Sequence, residues 1–373
     1  MRIAFVGGGS GGHFYPLIAI VEAIRLRDKE SGASSDLYYL GPNSYNEEAL
    51  NAQGIKFVSV PAGKRRNYFS WRNYTDIFKT IGGVFVAFWK LYWLYPDVIM
   101  SKGGYTSIPI VFAAWLLRIP IVIHESDAVP GRANKFAARF AEYIGIAHDD
   151  VSSYFPEKKV ALVGMPIRQS FFNNLPNPQQ VLGVVSDKPI ILVTGGSLGA
   201  ERVNNFVLGS LAQLLPRYTI VHQTGDDHVE KVTENASALI TDDNLLKSYY
   251  TFGHLSQEKF AAAMQAANLV ITRAGSTTLF EIALLGKPSI IIPIPEDVSR
   301  DQRSNAYAYA RSGGATVLEE HNLSDDILVA EIERILSDSA VYQKMSQSAQ
   351  NFTVNNAAYT LADALRDIAI KHE

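Results

Sequence analysis

Residues Ile271 to Asn305 read ITRAGSTTLFEIALLGKPSIIIPIPEDVSRDQRSN, and the order of residue types predicts strand, glycine turn, helix, strand and polar loop. Ser276 has the chemistry of a helix N-cap and Gly286 that of a C-terminal stop, with Pro288 just beyond, so a helix is expected from Ser276 to about Leu285. The N–H groups of Ser276, Thr277, Thr278 and Leu279 would then lack acceptors within the helix. Together with the positive end of the helix dipole they favour an anion such as a diphosphate. The hydroxyls of the first three add donors. Glu281 follows Thr277 by one turn on the same face, where its carboxylate suits two neighbouring ribose hydroxyls. One helix would thus hold both ends of a nucleoside diphosphate. A capped helix between two buried strands, binding nothing, has the same pattern, so other stretches must decide.

The same design occurs twice more. Ile3 to Val6 is a short apolar strand, followed by GGGSGGH from Gly7 to His13 and by a helix with apolar Ile18, Val21 and Ile24. Ile190 to Thr194 is a second buried strand, followed by GGSLGAERVNNF. Gly7, Gly9 and Gly12 formally match the dinucleotide fingerprint, which raises an oxidoreductase as the rival. That fingerprint wants an acidic residue at the end of the next strand. Here Asp36 precedes the strand Leu37 to Leu40, which ends in Gly41 and Pro42, so the dehydrogenase reading lacks its ribose ligand.

At 373 residues the chain is too long for one compact core and suits two domains. With 34 basic and 37 acidic residues there is no global basic field, so nucleic acid is not an expected partner and any anion site is local. No cysteine is present, which removes disulfides and thiolate metal sites. The start, MRIAFVGGG, reads as a strand and not as a signal peptide.

Polar residues cluster where strands should end. MSKGGYTS (Met100 to Ser107) and IVIHESDAVPGRANK (Ile121 to Lys135) put Tyr105, His124, Glu125 and Asn134 at the carboxyl edge of a doubly wound sheet, beside the first glycine loop. Upstream, IGGVFVAFWKLYWLY (Ile81 to Tyr95) predicts a helix apolar on nearly every face, interrupted by Lys90 and ended by Pro96. It reads as too short for a comfortable membrane span. A core helix with one membrane-touching edge is expected, with Phe78, Phe85 and Trp115 forming a patch flanked by Arg72 and Lys79. An Asn- and Pro-rich linker, Asn173 to Gln180, marks the passage to a second domain.

GGGSGGHFYP, SKGGYTS, HESDAVPGRANK, GMPIR, TGGSLGA, HQTG, RAGSTTLFE and DQRSNA stand in one order along nearly the whole chain. In that order and spacing the chain resembles the MurG family, within the two-Rossmann-domain (GT-B) glycosyltransferases. The resemblance implies an α/β fold of two Rossmann-like doubly wound domains facing each other across a cleft. Residues 1–166, joined by a C-terminal helix at about 352–373, would serve the acceptor and the membrane, and 167–351 the UDP-sugar donor. It implies a hexosyltransferase that moves N-acetylglucosamine from UDP-N-acetylglucosamine to the C4 hydroxyl of the N-acetylmuramyl unit of undecaprenyl-linked lipid I, with inversion, giving lipid II for peptidoglycan. The partners would be UDP-N-acetylglucosamine, a polyprenyl-diphosphate-linked muramyl-peptide acceptor and the cytoplasmic face of the cell membrane, held peripherally. No cofactor or metal is implied, and no Asp-x-Asp occurs in the chain.

By the same resemblance the donor contacts fall on Ser10, Gly11, Gly12, Arg168, Ser197, the Phe252–Gly253 turn beside the uracil, Ser276 to Glu281 with Leu279 and Phe280 among them, and Gln302. Arg168 and Arg273 suit the diphosphate as charge-assisted donors, and Gln302 and Asn305 suit sugar hydroxyls. Tyr105, Asn134 and His13 fall on the acceptor side. His13 is the first choice of catalytic base, since an ordinary pKa of about 6.5 suits proton transfer near neutrality, and Glu125 is its rival. Three departures from the family stand at four positions: Ser10 for Thr, Ser126-Asp127 for Gln-Asn, and Met165 for Asn. Asp127 exchanges an amide donor for an acceptor-only carboxylate at a donor contact, which bears on the choice of sugar. A transferase of galactose to diacylglycerol and a catalytically silent nucleotide-sugar-binding subunit share parts of the pattern. Both domains in one chain, with the His13 loop and the Glu281 helix intact, speak for a catalyst.

Overall fold

The computed structural model describes residues 1–64, 72–195, 200–296, 300–354 and 356–372, with the side chains of 72, 73, 300 and 301 outside the description. The chain divides into two compact units, Met1–Gln169 with Val354–Glu373, and Ser170–Thr353.

The first unit holds β1 (Arg2–Gly7), β2 (Asp36–Gly41), β3 (Lys56–Ser59), β4 (Val98–Gly103), β5 (Ile121–Glu125), β6 (Tyr143–Ile146) and β7 (Val160–Leu162). They pair in parallel in the order β3-β2-β1-β4-β5-β6-β7. The second holds β8 (Ile190–Thr194), β9 (Thr219–Gln223), β10 (Tyr249–Phe252), β11 (Leu269–Thr272), β12 (Ser289–Ile291) and β13 (Ala315–Val317), parallel in the order β10-β9-β8-β11-β12-β13. Both are Rossmann-like, with the order reversing between β1 and β4 in one and between β8 and β11 in the other.

The central strands are apolar at successive positions because both faces of each sheet are covered there, while the edge strands β3, β7 and β10 are partly exposed. On β1, Ile3 and Phe5 pack with Phe14 and Leu17 of the helix Gly11–Ser31 and with Leu361 and Leu365 of the helix Ala357–His372. Ala4 and Val6 face the opposite layer, with Ile110 and Val111. The last helix therefore belongs to the first unit. Arg27 donates to both carboxylate oxygens of Asp363, at 2.9 and 3.0 Å, and Arg366 pairs with Asp28. The Arg27–Asp363 pair is solvent-exposed and screened, whereas each buried leucine contributes about 1.5–3 kcal/mol, so apolar burial dominates the docking of this helix.

The structure corrects the reading of the apolar helix. It runs Arg72–Leu94, 23 residues, and is long and apolar enough by composition to cross a membrane. Little of it is core: Phe78 is 74% exposed, Phe85 69% and Trp93 79%, while Ala87 and Leu91 face the interior. Glycines at 82 and 83 suggest a start at Ile81. Instead, Gly83 is where the helix crosses the chain at Pro61, whose carbonyl would lie 2.1 Å from a Cβ there, so the glycine permits close packing inside a continuous helix.

Candidate active site

In the first unit the loop after β1 enters the helix Gly11–Ser31 through Ser10, whose carbonyl accepts from the N–H of His13 and of Phe14, both at 3.2 Å. The hydroxyl of Tyr39, on β2, donates to Gly7 O at 2.6 Å and fixes the loop to the sheet. Ser10 Oγ lies 2.7 Å from His13 Nδ1, which orients the imidazole with Nε2 as the remaining nitrogen. The ring of Tyr105, past β4, packs against the loop at Gly9.

At the end of β5, Glu125 is buried and both its oxygens are engaged. One accepts from the N–H of Ser126 and Asp127 at 2.8 and 3.0 Å, the other from Gly131 N–H at 2.9 Å and Asn134 Nδ2 at 3.0 Å. Asn134 also donates to His124 O. His124 Nε2 reaches Gly164 O at 2.8 Å, and burial holds its pKa well below the ordinary value. The His13, Tyr105, Glu125 and Asn134 positions are thus brought to one sheet edge. Their electrostatics are not ordinary. Burial, then the nearby Lys102 ammonium, lower the His13 pKa to about 4 against a partial offset from Asp127. The expectation of an unperturbed histidine is corrected accordingly. Glu125 is pushed up by burial and by Asp127, with its backbone donors opposing. Lys102, quoted within SKGG but not singled out, is 2% exposed, and its burial could have been read from its place at the end of an apolar strand.

Arg168 falls in the first unit, its guanidinium stacked 4.6 Å from the ring centre of Tyr15 and close to Glu22, which accepts from Gln169 N–H at 2.9 Å. Met165 is buried, an apolar side chain at the position where the resemblance has an amide. Gly11 is half-buried and Gly12 exposed at the helix start.

In the second unit the helix spans Ser276–Leu284, and its N-cap is Gly275 (φ −69°, ψ 123°), not Ser276. The extended residue is the glycine, which moves the start by one. Leu279 N–H bonds Gly275 O at 3.1 Å, so only the N–H groups of Ser276, Thr277 and Thr278 precede the first helical bond. Leu279 and Phe280 point into the core, where Phe280 stacks on Phe352 with centroids 5.0 Å apart. Thr277 and Thr278 are half-buried and Glu281 is 3% exposed.

Arg273, just past β11, is buried. Its guanidinium pairs with Glu320 at 2.6 Å and donates to the carbonyls of Ile292 and Pro293, while Glu320 also binds Arg202 at 2.7 Å. A buried guanidinium needs such neutralisation, and the pairing braces the β11 edge. Asn305 is buried with Nδ2 3.4 Å from Ala274 O, bracing the same turn. Gln302 Oε1 is buried with no partner among the described residues. Gly253, following β10, accepts from Gly225 N–H at 3.0 Å. His222 of HQTG is held neutral in the core between Tyr249 and Asn204, at 2.8 and 3.0 Å, its pKa lowered to about 3 by burial. Ser197 lies outside the described residues. Among the described residues no group of three or more His, Asp or Glu is placed to hold a metal ion.

Known proteins place this arrangement. The glycosyltransferase family 28 N-terminal domain matches residues 3–146 and its C-terminal domain residues 190–361. The UDP-N-acetylglucosamine--N-acetylmuramyl-(pentapeptide) pyrophosphoryl-undecaprenol N-acetylglucosamine transferase 2 of Bacillus cereus (strain ATCC 10987 / NRS 248) is 34% identical over 345 residues, covering 92% of this chain and 93% of the relative. The transferase of the same description from Clostridium tetani (strain Massachusetts / E88) is 31% identical over 367 residues, covering 98% and 97%. Among solved structures, MurG of Acinetobacter baumannii superposes with a TM-score of 0.72 at 25% identity, over 98% of this chain and 99% of that one. A UDP-GlcNAc 2-epimerase from Neisseria meningitidis, bound to UDP-GlcNAc, has a TM-score of 0.71 at 14% identity over 98% of this chain and shares the fold.

Proposed function

This chain belongs to the MurG family of glycosyltransferases and is a hexosyltransferase, and from that membership we propose that it moves N-acetylglucosamine from UDP-N-acetylglucosamine to the C4 hydroxyl of a polyprenyl-diphosphate-linked N-acetylmuramyl-peptide. The carrying observation is that the polar groups at each sheet's reversal point match one half of this chemistry. The second unit offers a helix start for the diphosphate and the buried Glu281 for the ribose, with Gln302 Oε1 accepting from a sugar hydroxyl. The first unit offers the His13 imidazole, oriented by Ser10.

In the transfer the acceptor's C4 oxygen forms a bond to the anomeric carbon as the bond to the diphosphate oxygen breaks. The leaving electron pair stays on UDP, and the displaced hydroxyl proton passes to His13 Nε2. Attack opposite the leaving group gives the β-linkage. A histidine with a pKa of about 4 is neutral at pH 7 and so able to accept, but weakly basic, which places proton transfer late, when the attacking oxygen has become acidic. Glu125, its oxygens filled by four donors, holds the 125–134 turn that presents Asp127 toward His13, and the base role goes to His13. The test is UDP release from UDP-N-acetylglucosamine with a short-chain lipid I analogue. Turnover of UDP-galactose with diacylglycerol, and none with the analogue, would overturn the assignment. The names of the relatives all specify N-acetylglucosamine and an undecaprenyl carrier.

The transfer is expected to persist in chelator, because the helix start at Ser276–Thr278 supplies the charge that a divalent ion would otherwise bring to a diphosphate, and no Asp-x-Asp is present to hold one. Loss of turnover in EDTA with rescue by magnesium would contradict this.

We further propose that the exposed face of Arg72–Leu94 lies on the cytoplasmic membrane surface. Phe78, Ile81, Phe85, Trp89 and Tyr92 recur at helical spacing and are all exposed, with Lys79 and Lys90 exposed beside them. Ala87 and Leu91 on the opposite face are buried in the unit's core, which favours lying on the membrane over crossing it. Phe85→Glu with Trp93→Glu is expected to lower binding to anionic vesicles by roughly tenfold or more while turnover of a water-soluble acceptor analogue stays near normal. Unchanged sedimentation with vesicles would remove the helix from the membrane.

A further inference from the structure

Lys102 sits where the pairing of β1 and β4 slips: Val6 is opposite Ser101 but Gly7 is opposite Gly103, so Lys102 is an extra residue in β4. A bulge of this kind re-aims a side chain. Lys102 Cβ lies 2.8 Å from where a Cβ on Gly7 would stand, so the first glycine of the loop is what lets the lysine pass. The side chain then ends buried, and Nζ meets no acceptor among the described residues. Thr106 Oγ1 and Asn134 Oδ1, two more polar atoms on the segments that follow β4 and β5, are also buried without partners. An ammonium left so is costly unless a ligand oxygen completes it.

The surrounding charge says which oxygen. Glu125 and Asp127 draw the Lys102 ammonium, and His13 and His124 are held neutral, so two carboxylates oppose one cation. A phosphate there would add to an existing excess of negative charge. Hydroxyls, which both donate and accept, suit Lys102 Nζ, Thr106 Oγ1 and Asn134 Oδ1 together. We propose that Lys102 donates a hydrogen bond to a hydroxyl or ring oxygen of the acceptor sugar beside His13, and is a specificity-determining residue of the acceptor side. The assignment rests on the reading that the first unit takes the lipid-linked sugar. Burial lowers the Lys102 pKa to about 8, so a large fraction of the amine remains charged at pH 7 and donates strongly.

The test is Lys102→Met, which keeps length and removes the charge, assayed with UDP-N-acetylglucosamine and the lipid I analogue. The acceptor KM is expected to rise, or kcat over acceptor KM to fall, by roughly ten- to a hundredfold, with the donor KM and UDP affinity unchanged. The acidic limb of the pH–rate profile is expected to move to higher pH, because Lys102 depresses the proton affinity of His13 and its removal lets His13 protonate sooner. Thermal unfolding is expected at the wild-type temperature or above, since an unpaired buried charge has been removed, whereas a lysine kept for structure would lower it. Lys102→Arg is the second variant, expected to keep the acidic limb in place. Unchanged acceptor kinetics with an unmoved limb, or an equal loss on donor and acceptor, would overturn the proposal. An inactive wild-type enzyme with this acceptor would instead overturn the proposed function.

Discussion

Replacing His13 by alanine is expected to lower kcat by roughly 10² to 10⁴, the range for losing a positioned general base, with little change in UDP affinity. The imidazole is held by Ser10 at 2.7 Å and sits at the reversal point of the first sheet, while the groups suited to UDP lie in the second unit. A substitution in one unit should therefore spare binding in the other. The pH dependence carries a second check. His13 has its pKa lowered to about 4 by burial and Lys102, so it stays neutral through pH 5 to 8 and the acidic limb of kcat/KM is expected near pH 4 instead of near 6.5. That limb should vanish in His13→Ala. The same depression links to stability. The unfolded chain binds protons below about pH 6.5 that folded His13 and His222 do not, so their contribution is fully present above that pH and is lost as pH falls toward 4 and 3. A variant with near-normal kcat, or one retaining the acidic limb, would move the base elsewhere.

Glu281→Ala is expected to weaken UDP binding by about 1.5–3 kcal/mol, or roughly ten- to a hundredfold in Kd, as measured by titration calorimetry. Glu281 is buried in the second turn of Ser276–Leu284, one turn beyond Thr277, so that on the proposed reading the diphosphate and ribose of one nucleotide would fall along a single helix face. Its neighbours Leu279 and Phe280 are core residues, so their replacement would report packing and not binding. Circular dichroism of Glu281→Ala should match the parent. An unaltered Kd for UDP would take Glu281 out of the site.

Strand and helix alternation, read from apolar runs between glycine turns, was enough to give two doubly wound sheets, because burial on both faces leaves a continuous apolar signature. Boundaries were less legible. Ser276 has the better cap side chain, but backbone geometry put Gly275 at the cap, and no sequence pattern records a φ angle. Glycines that usually break helices lie inside Arg72–Leu94, where the reason for one of them is a tertiary crossing at Pro61. Within the candidate site, the pairing of Arg273 with Glu320 is made only by the fold and has no signature in the sequence. The four donors that Glu125 accepts from, three backbone N–H groups and Asn134, are likewise assembled only by the fold. Lys102 carries no motif signature of its own, since its neighbours Gly103 and Gly104 supply the motif, and only the slipped register shows where its side chain goes.

The helix Ala357–His372 completes the unit that the chain begins, after the whole of the other unit has been made. On the ribosome, residues 170–353 are continuous and able to fold as they emerge, while the layer containing Phe14, Leu17 and Ile20 stays uncovered on the side that Leu361 and Leu365 will take. The first unit to be synthesised is thus the last to be finished. A nascent or prematurely terminated chain would carry an open apolar face, a natural target for a chaperone and a means of marking incomplete enzyme for proteolysis before it reaches a membrane.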